Sequence, residues 1–147
     1  MPRSERGLLD TSTVILLPRI ANPASLPAIP EISAVTLAEL SVGPLVAHSE
    51  EEKAARQAHV QQAEADFDPL PFDAAAARAF GRVAAALRSG GRKPAARALD
   101  AMIAAAAISR GLPLYTCNPS DFAGISELEL VAIPHPDRFE TATPEGV

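Results

Sequence analysis

From Pro94 to Arg110 the chain reads Pro-Ala-Ala-Arg-Ala-Leu-Asp-Ala-Met-Ile-Ala-Ala-Ala-Ala-Ile-Ser-Arg, and Gly111 follows. A helix over this stretch is apolar nearly all round, broken only by Arg97 and Asp100, which is how a buried helix reads. It needs other layers packed around it. Aromatics make up 4% of the chain and Trp is absent, so the core must come from Leu, Ile, Val and Ala, which favours closely packed helices. With 147 residues, 48% of them hydrophobic, one domain is the expected organisation.

The other elements alternate. Gly7 to Asp10 reads as a short buried strand, with Thr11 and Ser12 as caps for a helix starting near Val14. Arg19 to Pro30 carries Pro23, Pro27 and Pro30 and reads as loop or broken helix. Ile32 to Val35 is a second strand candidate, and Thr36-Leu-Ala-Glu39-Leu opens a helix that Gly43-Pro44 interrupts. Ser49 to Ala65 has the composition of a solvated helix, and Asp66 to Phe72 that of a turn-rich connection. Asp73 caps a predicted helix from Ala74 to Arg88, ended by Ser89-Gly90-Gly91. Leu112 to Tyr115 and Leu128 to Ile133 are the last strand candidates, and Pro134 onward reads as a polar tail. Short strands separated by helices imply an α/β/α sandwich with a mainly parallel central sheet.

The formal net charge is −5, which argues against generic affinity for nucleic acid. Its distribution says otherwise. Between Arg78 and Arg110 stand seven bases and one acid, Asp100. The lack of compensating acids favours a phosphate-contacting surface over an ordinary solvated face, with Arg88, Arg92 and Lys93, around Ser89-Gly90-Gly91, as the expected nucleic-acid contacts. The single Cys117 cannot form an internal disulfide, MPRSERGLLD opens no signal-peptide pattern, and the longest apolar run, Ala101 to Ile108, is far short of the ~20 residues a membrane helix needs. A cytoplasmic protein is the simplest expectation.

Four acids stand out, and ligands of an open α/β sheet bind beyond the carboxyl ends of its strands. Asp10 and Asp121 lie on or just after such ends, Glu39 is expected in the first turn of the following helix, and Asp100 sits in the apolar helix. Converging carboxylates repel one another, and a divalent cation resolves the repulsion. An oxygen ligand set suits magnesium or manganese; the dispersed His48, His59 and His135 offer no zinc pattern. Each acid also has a plain structural reading. Asp10 could cap a helix, Thr36-x-x-Glu39 is a capping box, Asp100 could pair with Arg97, and Asp121 could end a turn.

Leu8-Leu9-Asp10-Thr11-Ser12, Thr36-Leu-Ala-Glu39-Leu, Asp100-Ala-Met-Ile103 with its Ala run, and Leu114-Tyr-Thr116-Cys-Asn118-Pro-Ser-Asp121-Phe122, in this order and spacing, resemble the PIN domain. The likeness is strongest to the VapC toxins of bacterial toxin-antitoxin pairs, extends to the Leu70-Pro-Phe72-Asp73 entry, and spans Gly7 to Ile133. It implies a magnesium- or manganese-dependent endoribonuclease in which Asp10 and Asp100 are the principal metal ligands. Glu39 and Asp121 would hold a second ion or orient water. Asn118 stands where many PIN domains have Asp, so either Asn118 or Asp121 completes the site, with Thr11, Ser12 and Thr116 in support. The resemblance also implies a cognate VapB-type antitoxin and a homodimer, with the helices between Ala38 and Ala65 as candidate interfaces. The alternatives are a catalytically silent PIN-fold binding module and, further off, an aspartyl phosphatase built on Asp10-Thr11-Ser12, which lacks the second acid that chemistry wants at position 12.

Overall fold

The structure, a computed structural model, describes residues 5–93 and 97–138. It has the element order β1 (Arg6–Leu9), α1 (Thr11–Leu16), β2 (Ile29–Glu31), α2 (Ala34–Val42), α3 (Glu50–Asp66), α4 (Ala74–Ser89), α5 (Ala98–Arg110), β3 (Leu114–Thr116) and β4 (Leu130–Ala132). The strands form one parallel sheet in the order β2-β1-β3-β4. Strand order reverses between β1 and β3, so the crevice beyond their carboxyl ends is the switch point at which such sheets bind ligands.

Alternation of side chains along each strand sends them to two cores, because successive Cβ atoms point to opposite faces. Leu8 and Leu114 join the face covered by α4 and α5, where Ala79, Val83 and Leu87 meet Ala101, Ala104 and Ala105. Leu9 and Tyr115 join the other, with Val14 of α1, Leu40 of α2 and Ala63 of α3. Helices on both faces make the α/β/α sandwich expected above. The Ala run of α5 is buried from Ala104 to Ala107, and small side chains let it lie close to both sheet and α4. Gly7 is required by a close approach of the same kind: a Cβ there would come within 2.5 Å of the Tyr115 ring.

Several boundaries differ from expectation. The second strand lies at Ile29–Glu31, overlapping the end of the stretch read as loop, and Ile32 to Val35 is not a strand. Pro30 cannot donate to a ladder, yet β2 is an edge strand, where proline is tolerated. The chain leaves the sheet at Ser33, whose hydroxyl accepts the Thr36 amide at 3.2 Å and caps α2. The Thr36–Glu39 capping box is therefore not formed. Burial of Val35 and Thr36 on the helix overrides their β preference. Likewise α1 starts at Thr11 and is capped by Asp10, not by Thr11 or Ser12.

The remaining elements lie within a few residues of expectation, with Asp73 capping α4 and Gly111 ending α5 in the left-handed conformation. Expectations for Pro94 to Ala96, residues 1–4 and residues 139–147 lie outside the described residues. Among the described residues no helix is long and apolar enough to cross a membrane.

Candidate active site

Asp10 is the first residue after β1 and is 4% exposed. Burial pushes its carboxyl up from the usual range, opposed by hydrogen bonds from Thr13, Thr116 and Ser12. The Thr13 amide donates to Oδ1 at 3.3 Å, and the Thr13 hydroxyl donates to the same oxygen. The hydroxyls of Thr116 and Ser12 donate to Oδ2 at 2.9 and 3.1 Å. Each hydroxyl is itself oriented from the loop after β3. Thr13 Oγ1 accepts the Cys117 amide at 3.1 Å, Thr116 Oγ1 the Asn118 amide at 2.9 Å, and Ser12 Oγ the Asn118 side-chain amide at 2.9 Å. With its acceptor role filled, each hydroxyl has one proton to give, and gives it to Asp10.

This network joins residues more than 100 positions apart and makes Asp10 both a helix cap and the anchor of the site. Capping by Asp10 accounts for the Thr13 amide alone, and three hydroxyls converge on the same carboxylate besides. Thr13 was not singled out from sequence; its place three residues after Asp10, where a capping partner sits, was the available signal. We predict that Thr116→Val, which leaves the Asn118 amide without its acceptor, costs about 1–3 kcal/mol in chemical denaturation. Any turnover the site supports should fall ~10–100-fold in the same variant, as for lost supporting residues.

Glu39 lies in the second turn of α2, not the first, because the helix begins at Ala34. It is half-buried and accepts from the Thr11 hydroxyl at 2.7 Å, which lies 3.1 Å from Thr36 Oγ1. Asp100 lies in the first turn of α5, at the end of that helix nearest the strand termini. It is not buried with the rest of α5: its side chain is 32% exposed. Desolvation together with the charges of Asp121, Glu39 and Asp10 nevertheless pushes its carboxyl up to about 6. All four predicted acids thus share one electrostatic neighbourhood at the carboxyl edge of the sheet.

Asn118 and Asp121 take different places. Asn118 belongs to the hydroxyl network around Asp10, whereas Asp121, on the short turn Pro119–Phe122, stands by Asp100. Arg97 bridges the two acids, with Nη1 2.6 Å from Asp121 Oδ1 and 3.7 Å from Asp100 Oδ2. The Arg97–Asp100 pair read as an alternative from sequence is present, but the shorter contact is to Asp121, 24 residues away, and sequence spacing could not show it. Among the described residues no three His, Cys, Asp or Glu side chains close into a cation cage. The donors are all oxygen, and burial together with like charges raises the Asp100 carboxyl, chemistry that fits a hard divalent cation.

Beside Asp100 and Asp121 opens a cavity of about 410 Å³ that Arg92, Lys93 and Arg97 also line. Arg88 lines a separate depression on α4, so the expected trio of RNA contacts is divided. Three of the seven bases find acids from elsewhere: Arg82 meets Glu127, Arg97 meets Asp121, and Arg110 meets Asp73. Among the described residues Arg78, Arg88, Arg92 and Lys93 have no acidic partner within 4.0 Å, so the unneutralised part of the basic stretch is smaller than its sequence suggested.

The PIN domain model matches residues 8–128. Ribonuclease VapC5 of Mycobacterium tuberculosis is 38% identical over 132 residues, covering 86% of this chain and 95% of that protein. Ribonuclease VapC4 of the same organism is 34% identical over 102 residues, covering 69% and 75%. The crystal structure of VapBC-5 from M. tuberculosis, a toxin-antitoxin system, superposes with a TM-score of 0.74 at 35% identity, covering 88% of this chain and 100% of that one. A DNA-bound VapBC from Salmonella typhimurium gives 0.65 at 27% identity, covering 86% and 97%. The family model covers most of the chain, the relatives are matched over most of their length, and the acids stand together at the expected sheet edge; the chain belongs to the PIN domain family, in its VapC branch.

Proposed function

We propose that the chain is a VapC-type endoribonuclease toxin that hydrolyses RNA phosphodiesters with magnesium or manganese and is held inactive by a cognate VapB-type antitoxin. The observation that carries this reading is that Asp121, Glu39 and Asp10 all bear on Asp100, whose carboxyl is pushed up to about 6 by desolvation and by these three charges together. Relatives named as ribonucleases and as members of toxin-antitoxin complexes support the reaction and the partner.

In this reading Asp10 and Asp100 are the principal metal ligands, and Glu39 and Asp121 hold a second ion or orient the attacking water. A bound divalent ion supplies an activated water and stabilises charge on the scissile phosphate. Thr13, Thr116 and Asn118 keep the Asp10 carboxylate in one orientation. Its four lone-pair directions are already met by protein donors, and the Ser12 hydroxyl, half-exposed and 3.1 Å away, is the donor placed to give way. Thr11 fixes Glu39, and Arg97 holds Asp121 beside Asp100. Exposed Val42, Leu45 and Val46, within the region expected to form interfaces, offer apolar surface to the antitoxin or a second copy.

The test is cleavage of an RNA panel by the purified chain. Magnesium or manganese should support cutting that a chelator abolishes. A folded chain that leaves every RNA intact with either ion would overturn the proposal in favour of a silent binding module.

A further inference from the structure

Arg97 stands where local rules argue against it. It is the residue just before α5, a position that helices give to Ser, Thr, Asp or Asn, and its side chain caps none of the amides there. A cation at that end also faces the positive pole of the helix. A residue that breaks two local preferences has its reason elsewhere in the fold.

That reason lies in the acids. Nη1 of Arg97 is 2.6 Å from Asp121 Oδ1 and 3.7 Å from Asp100 Oδ2, and among the described residues no other base comes within 4.0 Å of Asp10, Glu39, Asp100 or Asp121. Arg92 and Lys93 line the neighbouring cavity without an acidic partner among the described residues. Arg97 is the counter-charge of the cluster.

One positive charge faces four carboxylates, so a divalent ion is the stronger counter-charge. The two exclude each other. A guanidinium on the Asp121 and Asp100 oxygens repels a divalent ion on the same carboxylates, and one of them has to give way. Arg97 is placed to do so: its side chain is 49% exposed, and ion pairs of that exposure hold weakly.

We propose that Arg97 is the resident cation of the divalent-free site, competing with the metal for Asp121 and Asp100 and turning to solvent as the metal loads. Loading is then an exchange, one guanidinium out for one divalent ion in, which raises the ion concentration at which the site fills. The inference rests on the metal-dependent nuclease reading above.

The experiment titrates manganese into the full chain by calorimetry, without RNA, at fixed pH and ionic strength. Arg97→Ala should bind manganese ~5-fold or more tightly than the parent, because no fraction of the site is then held by the guanidinium. Arg97→Lys, which keeps the charge but not the planar fork, should fall between the two. Arg92→Ala removes a cavity-lining charge that touches no acid, and should change the affinity by less than ~2-fold at physiological salt. Melting gives a second readout: Arg97→Ala should melt below the parent without divalent ions, and the gap should close at saturating manganese. On the unaltered chain, the guanidinium signals of Arg97 in nitrogen NMR should move to solvent-like positions as magnesium is added.

An Arg97→Ala variant that binds manganese as the parent does, or more weakly, overturns the competition, since a residue that only positions Asp121 for the ion lowers affinity when lost. Equal tightening by Arg92→Ala, unmoved Arg97 signals, or no manganese uptake by any chain overturns it too. Cleavage of RNA by the unaltered chain with manganese is scored separately. Cleavage with unchanged affinity in Arg97→Ala removes the competition and keeps the nuclease; tighter binding without cleavage keeps the competition and removes the nuclease.

Discussion

Asp100→Asn is expected to abolish cleavage and, at the same time, to raise the melting temperature of the divalent-free protein at pH 7. The carboxyl is pushed up to about 6 by desolvation and by Asp121, Glu39 and Asp10, with Arg97 only partly offsetting them. Taken whole, the displacement from 3.8 corresponds to about 3 kcal/mol against the charged form; for a side chain 32% exposed, solvent screening leaves about 1 kcal/mol. For a chain of this size that is about 3–5 °C in Tm.

The pH dependence has a definite sign. An acid whose folded pKa is raised contributes stability that is present below its unfolded value and is lost as pH rises through the folded value, here between 3.8 and about 6. The difference between the variant and the parent should shrink as pH falls from 7 to 5. Metal-dependent cleavage should decline over the same interval as protons compete with the cation. A variant that melts below the parent at pH 7 without divalent ions would show that Asp100 is held by Arg97 more than it is repelled by its neighbours.

Asp10→Ala should lose cleavage by more than about 100-fold, beyond what loss of a supporting residue costs, but with the opposite effect on stability. It removes the cap of α1 and the shared acceptor of three hydroxyls whose other roles are already taken. Desolvation of the carboxylate is relieved in return, and the net cost is about 1–3 kcal/mol. Paired denaturation and cleavage measurements on the two variants read this contrast directly: both inactive, one more stable than the parent and one less. An active Asp10→Ala enzyme would remove Asp10 from the ligand set.

Helices were the most legible elements. The sequence 74–88 is bracketed by an Asp cap and a Gly pair, and the observed helix, Ala74–Ser89, departs by one residue. The second strand was misplaced because Pro30 reads as a breaker until its strand is known to be at the edge. Ser33, not Thr36, caps α2, since burial of Thr36 outweighs its capping tendency.

Local signals along the chain carried the layered α/β class, the apolar helix with its lone acid, and four carboxylates in an order that resembles one family. These follow from periodicity, capping residues and local spacing, which act over a few positions of chain. How those acids are held emerges from the folded arrangement. Thr13, Thr116 and Asn118 converge on Asp10, Arg97 reaches Asp121 across 24 residues, and Arg88 parts from Arg92 and Lys93. Hydrogen bonds and charge pairs depend on distance in space, and the parallel crossovers that bring β1 beside β3 place more than 100 residues of chain between partners that meet.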